Sequence, residues 1–489
     1  MTSPDRSELT TSGVAEDIWT SVGLPSSALT SLHLPSADTI VFPSSYKIGV
    51  LAQATIGASA LAAAQYYGLR NSSDKVPDVT VPLDHARLEF HSQQYQSLDS
   101  WAQNPPDVSI NKVGGLHRTS DGYVRIHDLF PNHVAGTMEI LGLPRDATKQ
   151  QVADKTIHWD AVDLETKGTE EGKVAIYAQR TCAEWDALPQ STAVATAPIL
   201  LRRLRTGPTK VLPPTGTQNK ALSGLKVVEL TRVIAGPVAG RTLAAHGADV
   251  LWVTSPSLPA VPFLDSDMSR GKRTIQLDIR SAADKATLLD LLRTADVFLQ
   301  GYRPESLAAH GLSPADLTDI NPSLVVANLS AFGPSGPWSR RRGFDSLVQT
   351  ASGMAVSEAE HADEGESARV TPVQALDHGS GYLLATGIMA ALHRRATEGG
   401  SWRVDVSLAG TMKYLRSLGQ YPGRQGFDGV EPLPASIKEV PGGFVDVKQS
   451  AVFGKAMALK HSARIDGVEV GYDEAPKPLG SDEPKWKDA

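Results

Sequence analysis

Short apolar runs separated by helical stretches constrain this chain more than any other feature. Lys226-Val-Val-Glu-Leu, Asp249-Val-Leu-Trp-Val, Asp296-Val-Phe-Leu-Gln and Leu324-Val-Val-Ala-Asn-Leu are apolar almost throughout and do not alternate with polar residues. That pattern belongs to strands buried on both faces. Between them the spacing predicts helices over Val238–His246, ended by Gly247, and over Ser281–Thr294. The second has Ser281 as its N-cap and Leu288, Leu289, Leu291 and Leu292 on its apolar side. Strands joined through helices cannot pair as hairpins, because a parallel pair needs a crossover. The expected fold class is therefore α/β: an open, doubly wound, mostly parallel Rossmann-like sheet over residues 221–420.

The flanking regions read differently. Residues 1–40 are rich in Ser, Thr and Pro and are expected to be loosely ordered. Within 41–205, Ile56–Tyr67 is an Ala-rich buried helix, Val79–Leu83 a strand, and Gly115–His127 a hairpin turning at Asp121-Gly122. Short helices follow near Val134–Leu143 and Lys149–Ala153, which makes a smaller α+β domain. Residues 206–220 form a Pro/Thr/Gly linker and 421–489 a C-terminal tail.

Composition narrows the function class. A chain of 489 residues has room for several cores, and a formal charge of −7 gives no basic footprint for nucleic acid. Cys182 is the single cysteine, so an intramolecular disulfide or a cysteine-cluster metal site is excluded. Its neighbours Arg180-Thr-Cys-Ala-Glu184 carry no nucleophile signature. No segment reaches the roughly 18 uninterrupted apolar residues of a spanning helix. A cytoplasmic location with no membrane partner is the expectation.

Asp377 is the residue that stands out. It lies in Pro372-Val-Gln-Ala-Leu-Asp-His-Gly-Ser-Gly381, between an apolar run and small residues, just before a long predicted helix, Tyr382–Arg395. A buried carboxylate without a partner is costly, so chemistry is one explanation and capping of the next helix is the structural alternative. An internal echo surrounds it. Ile56–Tyr66 with Val79–Leu83 repeats the pattern of Thr386–Arg395 with Val404–Leu408, and aligning Gly57 with Gly387 puts Lys47 at the place of Asp377.

Taken together, Leu222-Ser-Gly-Leu-Lys-Val-Val-Glu-Leu-Thr-Arg-Val-Ile-Ala-Gly-Pro, Arg270-Gly-Lys-Arg-Thr-Ile-Gln-Leu-Asp, Gly301-Tyr-Arg-Pro, Ser330-Ala-Phe-Gly-Pro-Ser-Gly-Pro, Arg342-Gly-Phe-Asp-Ser-Leu-Val-Gln and Ala375-Leu-Asp-His-Gly-Ser-Gly resemble the family III CoA-transferases. This is the CaiB/BaiF group that includes formyl-CoA transferase and carnitine CoA-transferase. The motifs come in that family's order. Residues 40–205, by contrast, look like its later half, so the segments are in rearranged order.

The resemblance implies a transfer of CoA from an acyl-CoA to a carboxylic acid through an aspartyl anhydride and an aspartyl-CoA thioester, with Asp377 as nucleophile. CoA or acyl-CoA is then a substrate, and no cofactor is permanently bound. Val233, Ile234, Ala235, Gly301 and Tyr302 carry over as CoA contacts, Lys272 and Arg273 as phosphate-neutralising cations, and Arg303 and Arg342 as further contacts. A homodimer is also implied. Two departures from the family's pattern stand out. No basic residue follows the second strand in Val253–Pro259, and the family's glycine-rich loop shrinks to Gly114-Gly115. Racemases on the same scaffold carry a His where this chain has Phe344, so two-base proton exchange lacks a partner there. A racemase, epimerase or lyase, or a non-catalytic relative, is the alternative. Asp84-His85 echoes the motif wording and reads as structural.

Overall fold

The computed structural model describes residues 4–103, 112–216 and 219–487. The N-terminal stretch corrects the first expectation. Thr10 caps helix α1 (Thr11–Ser21) through the Gly13 N–H, and Val14, Ala15, Ile18 and Trp19 are buried along one side. Four apolar residues at that spacing form a helical stripe, which the surrounding Ser and Pro content concealed. Helix α2 (Ile48–Arg70) is buried over nearly its whole length. By length and composition alone it could cross a membrane, yet 94% of its most apolar window is buried inside the fold.

The hairpin forms as expected. Strands β1 (Gly115–Arg118) and β2 (Tyr123–Ile126) pair antiparallel, with Gly115 opposite Ile126. Helix α3 (Pro131–Leu141) starts on Pro131 and stops at Gly142, whose φ of 63° suits glycine. Strand β3 (Ile176–Ala178) adds to β2, and Val124, Ile126, Met138, Leu141 and Leu164 close a separate small core.

Strand β4 (Leu200–Arg205) does not belong to that unit, although the sequence reading places it there. It is the edge of the large sheet, which also holds β5 (Lys226–Leu230), β6 (Asp249–Thr254), β7 (Arg273–Gln276), β8 (Val297–Gln300), β9 (Val325–Ser330) and β10 (Ser401–Ser407). The order is β7-β6-β5-β8-β9-β10-β4, and only β4 runs antiparallel. Successive side chains point to opposite faces. Val227, Val250, Val297 and Val325 enter one core, while Val228, Leu251, Phe298 and Val326 enter the other. Apolar residues at both phases are why these strands sit inside a doubly covered sheet.

Helices α4 (Ala235–Ala245), α5 (Pro262–Met268), α6 (Ala282–Thr294), α7 (Asp345–Ala351) and α8 (Ala375–Glu398) connect or cover the strands. Helix α8 begins at Ala375 rather than Tyr382, which puts Asp377 inside its first turn. Glycines 379 and 381 argue against a helix here, since each costs about 1 kcal/mol relative to Ala. Packing overrides that cost. A Cβ on Gly381 would lie 2.6 Å from the Val238 side chain and 2.8 Å from the Ala235 carbonyl oxygen, so α8 and α4 touch backbone to backbone. On the other side a Cβ on Gly379 would lie 3.0 Å from Leu51 of α2. Helix α8 is thus held between α2 and α4.

The linker and the tail are built in as well. Arg70 donates to the carbonyls of Pro213, Ala221 and Ser223, and Lys210 pairs with Asp296 at 2.9 Å. The tail's hairpin, 445–459, continues onto Gln96–Leu98, and Arg464–Ile465 pairs with Val79–Thr80.

Candidate active site

The chain leaves β5 toward β6 on one side and returns in β8 on the other, so the loops beyond their carboxyl ends diverge. Such a switch point opens a crevice. Here it is a cavity of about 570 Å³. Val233, Ile234 and Ala235 line it from the β5–α4 loop, Gly301, Tyr302 and Arg303 from the loop after β8, and Arg342 and Phe344 from the approach to α7. Among the described residues Asp377 is the only carboxylate in its wall. These expected positions are therefore brought together. Val233 has φ of 69°, a left-handed conformation that costs a β-branched residue on the order of 1–3 kcal/mol. The loop is held in that shape where backbone meets the cavity. The N–H groups of Ala235 and Gly236, in the first turn of α4, have no acceptor among the described residues, and Pro237 has no N–H to offer.

Gly381 lies one turn after Asp377 on the same face of α8 and touches the start of α4. Asp377 and Ala235 thus line the same cavity, one from each helix. The capping alternative is excluded by another residue. The buried carboxylate of Asp345 accepts from the N–H of Leu376 at 2.9 Å and of Asp377 at 3.1 Å, and from the Gln349 amide. Asp345 thus caps α8, and no donor reaches the Asp377 carboxylate among the described residues. Burial pushes the pKa of Asp345 up to about 6 despite its three donors. Asp377 is raised well above the usual carboxylate range, by burial first and then by the charge of Asp345. Two carboxyls this close resist ionising together. The better-bonded Asp345 carries the charge more easily, which leaves Asp377 as a poorly solvated carboxyl.

The rim is cationic. Arg232, Arg303, Arg341 and Arg342 line the cavity. Arg341 is engaged by Glu165 and Glu170, and Arg232 donates to the Pro259 carbonyl and lies 4.3 Å over the Phe130 ring. Arg303 and Arg342 pair with no carboxylate among the described residues, so they remain available to an anion. Ser257, Leu258 and Pro259 also line the cavity, so the stretch without a basic residue after β6 still contributes backbone and hydroxyl groups.

Lys272 and Arg273 are placed elsewhere, which corrects their expected role. Lys272 is wholly buried, bonded to Glu229 at 2.8 Å and to the Pro237 carbonyl at 2.8 Å. Burial lowers its pKa to about 8 and raises that of Glu229. Arg273 clamps Asp249 through two bonds and holds the Lys485 carbonyl. Arg273 answers an acid on the adjacent strand β6 and Lys272 one on β5, two strands away, pairings that the linear motif does not display.

The sequence reading missed Phe130, Asn132 and His133, which the small unit contributes to the same cavity. The run His127-Asp-Leu-Phe-Pro-Asn-His133 was the available signal. Phe344 does occupy the position beside Asp345, but imidazoles surround it. His127 stacks on its ring at 3.8 Å, and His133 meets it edge-on at 5.9 Å. His378 bonds Gln93 and does not line the cavity. His85 bonds the Lys460 carbonyl and stacks on Phe444, a structural role. Lys47 donates to the Ser7 carbonyl at 2.6 Å, tying down the N-terminal segment. Gly114 is needed because a Cβ there would lie 2.7 Å from Asp128, and neither it nor Gly115 lines the cavity. Cys182 is half-buried, and burial raises its pKa.

A doubly wound sheet with a carboxyl that has no hydrogen-bond partner among the described residues at its switch point, under a cationic rim, defines an α/β protein. Residues 222–432 carry a CoA-transferase family III region. The chain is 33% identical over 237 residues to the "Probable fatty acyl-CoA transferase Rv3272" of Mycobacterium tuberculosis, covering 45% of this chain and 59% of that protein. It is 29% identical over 400 residues to the acetyl-coenzyme A transferase nodX of Hypoxylon pulicicidum, covering 73% and 66%. With the succinate–glutarate CoA-transferase of Agrobacterium fabrum it shares 33% over 205 residues, covering 38% and 50%. The chain thus spans roughly half to two thirds of these relatives. A crystal structure of Rv3272 superposes with a TM-score of 0.38 at 33% identity, over 41% of this chain and 58% of that one. That superposition is too partial to bear on the arrangement of the whole.

Proposed function

We propose that this protein moves CoA from an acyl-CoA to a carboxylic acid, with Asp377 as the nucleophile. The observation that carries this reading is a buried carboxyl with no hydrogen-bond donor among the described residues, beside a second carboxyl that has taken the helix-capping role. A carboxylate suits the task because it is chemically equivalent to the donor and acceptor acids it exchanges with. The Asp377 oxygen attacks the thioester carbonyl, the C–S bond breaks with its electron pair on sulfur, and a mixed anhydride forms. The thiolate then attacks the aspartyl carbonyl and releases the donor acid, leaving an aspartyl-CoA thioester. An acceptor carboxylate reverses the sequence. The free amides of Ala235 and Gly236 suit the oxyanion of each tetrahedral intermediate, and Arg303 and Arg342 suit the phosphates of CoA.

Incubation with an acyl-CoA followed by mass spectrometry of the Asp377 peptide tests this directly. An adduct is expected in the native protein and none in Asp377→Asn, which keeps the shape and removes the charge. Turnover persisting in Asp377→Asn would move the nucleophile elsewhere.

The racemase reading has one observation in its favour, since His133 supplies an imidazole that position 344 lacks. A 2-methylacyl-CoA in deuterated water separates the two. The transferase gains no α-deuterium and converts added carboxylate to its thioester, whereas rapid exchange without acceptor turnover would favour the racemase.

A further inference from the structure

His133 enters the cavity from the small unit, at the third position of α3, and is buried except for the edge that faces the cavity. Its Nδ1 is sealed and has no partner among the described residues, so Nε2 is the nitrogen that reaches the cavity. An unbonded N–H in that sealed position would cost more than a bare lone pair, so the proton belongs on Nε2. The ring is fixed by two aromatic neighbours, edge-on to Phe130 at 5.7 Å and to Phe344 at 5.9 Å. Phe344 directly precedes Asp345, whose carboxylate holds the Asp377 N–H. His133, Phe344 and Asp377 all line the same cavity.

Every charged group facing the ring disfavours imidazolium. Burial first, then Arg342 and Arg232, lower the pKa of His133 to about 4; His127 is also buried and neutral. The start of α3 adds the positive end of a helix dipole. A polar residue is thus kept inside an apolar box, uncharged, with one donor pointing into the cavity.

We infer that His133 holds the coenzyme A sulfur as thiolate, donating Nε2–H to it while keeping its own proton. This rests on the anhydride reading above. In that cycle the sulfur leaves with its electron pair and must return as nucleophile in the next step. A thiol of ordinary pKa, about 8.5, takes up a proton at neutral pH and then returns slowly. An imidazolium would deliver that proton. A neutral imidazole cannot, yet its N–H still stabilises the negative sulfur and retains it beside the anhydride. No proton moves, and the C–S bond broken in one step is remade in the next.

The test compares His133→Gln, which keeps an N–H donor, with His133→Phe, which keeps only the ring. Thermal unfolding first checks that each variant is folded. Two quantities are then read with acyl-CoA and acceptor: covalent adduct at Asp377, and the ratio of free CoA thiol released to acceptor thioester formed. In His133→Phe, adduct formation is expected to persist while transfer falls on the order of a hundredfold, typical of losing one preorganised donor. The free-thiol ratio rises with it, and His133→Gln recovers part of both. A folded His133→Phe with unchanged coupling overturns the inference. So does α-deuterium exchange that the native protein shows and the variant loses, since His133 would then be a base. Absence of any Asp377 adduct in the native protein defeats the anhydride reading itself, separately from His133.

Discussion

Asp345 and Asp377 share one helix terminus and differ in what reaches their oxygens among the described residues: three donors in one case, none in the other. Environment, not residue type, makes one a cap and the other a candidate nucleophile. This has a consequence for pH. In the proposed transfer attack requires the anion, and the pKa of Asp377 is raised by burial and by Asp345. Activity is therefore present above the raised value and lost as pH falls through it. The acid limb of kcat/KM is expected well above pH 4, the ordinary carboxylate range. A limb at about pH 4 would show that Asp377 is solvated and unperturbed. Lys272 makes the opposite point about charge. It is an internal partner for Glu229, so Lys272→Met is expected to cost about 3–5 kcal/mol of stability by leaving a buried charge uncompensated. Affinity of the folded fraction for CoA, measured by calorimetry, should not change. A loss of affinity without a loss of stability would restore the phosphate role.

At the scale of elements, the site depends on how closely α8 approaches α4. Gly381→Ala poses two effects against each other. Helix propensity favours Ala by about 1 kcal/mol, and overpacking a tight contact costs about 1–3 kcal/mol. Since one of the atoms in the way is a backbone carbonyl oxygen, packing wins. The variant is expected to melt below the native protein and to lose kcat more than KM, because the displaced element carries Asp377. A more stable variant with full turnover would show that the helices are free to separate. The same contact explains why the start of α8 was illegible in the sequence. Its glycines lower local helix propensity, and the compensating contact lies far away along the chain.

At the scale of the whole molecule, the 222–432 region is not a self-sufficient body. Helix α2 covers one side of α8, β4 completes the sheet edge beside β10, and Phe130, Asn132 and His133 complete the cavity wall. Residues 221–432 expressed alone are therefore expected to lack cooperative thermal unfolding and near-ultraviolet circular dichroism, and to form no adduct with acyl-CoA. A folded, reactive fragment would show that the flanking segments are dispensable.

What this sequence determined by itself was local or periodic. Apolar runs at both phases specified buried parallel strands, the Ser281 cap began a helix, and the motif around Asp377 marked the place where chemistry is proposed. The tertiary structure decided which charges were spoken for. Lys272 and Arg273 read as free cations until Glu229 and Asp249 came beside them, while Arg303 and Arg342 were left without an acid among the described residues. It also decided that the cavity would be walled by a unit far along the chain. Hydrogen bonding and desolvation depend on distance in space, and a carboxylate's partners, unlike a strand's alternation, need not be near it in sequence.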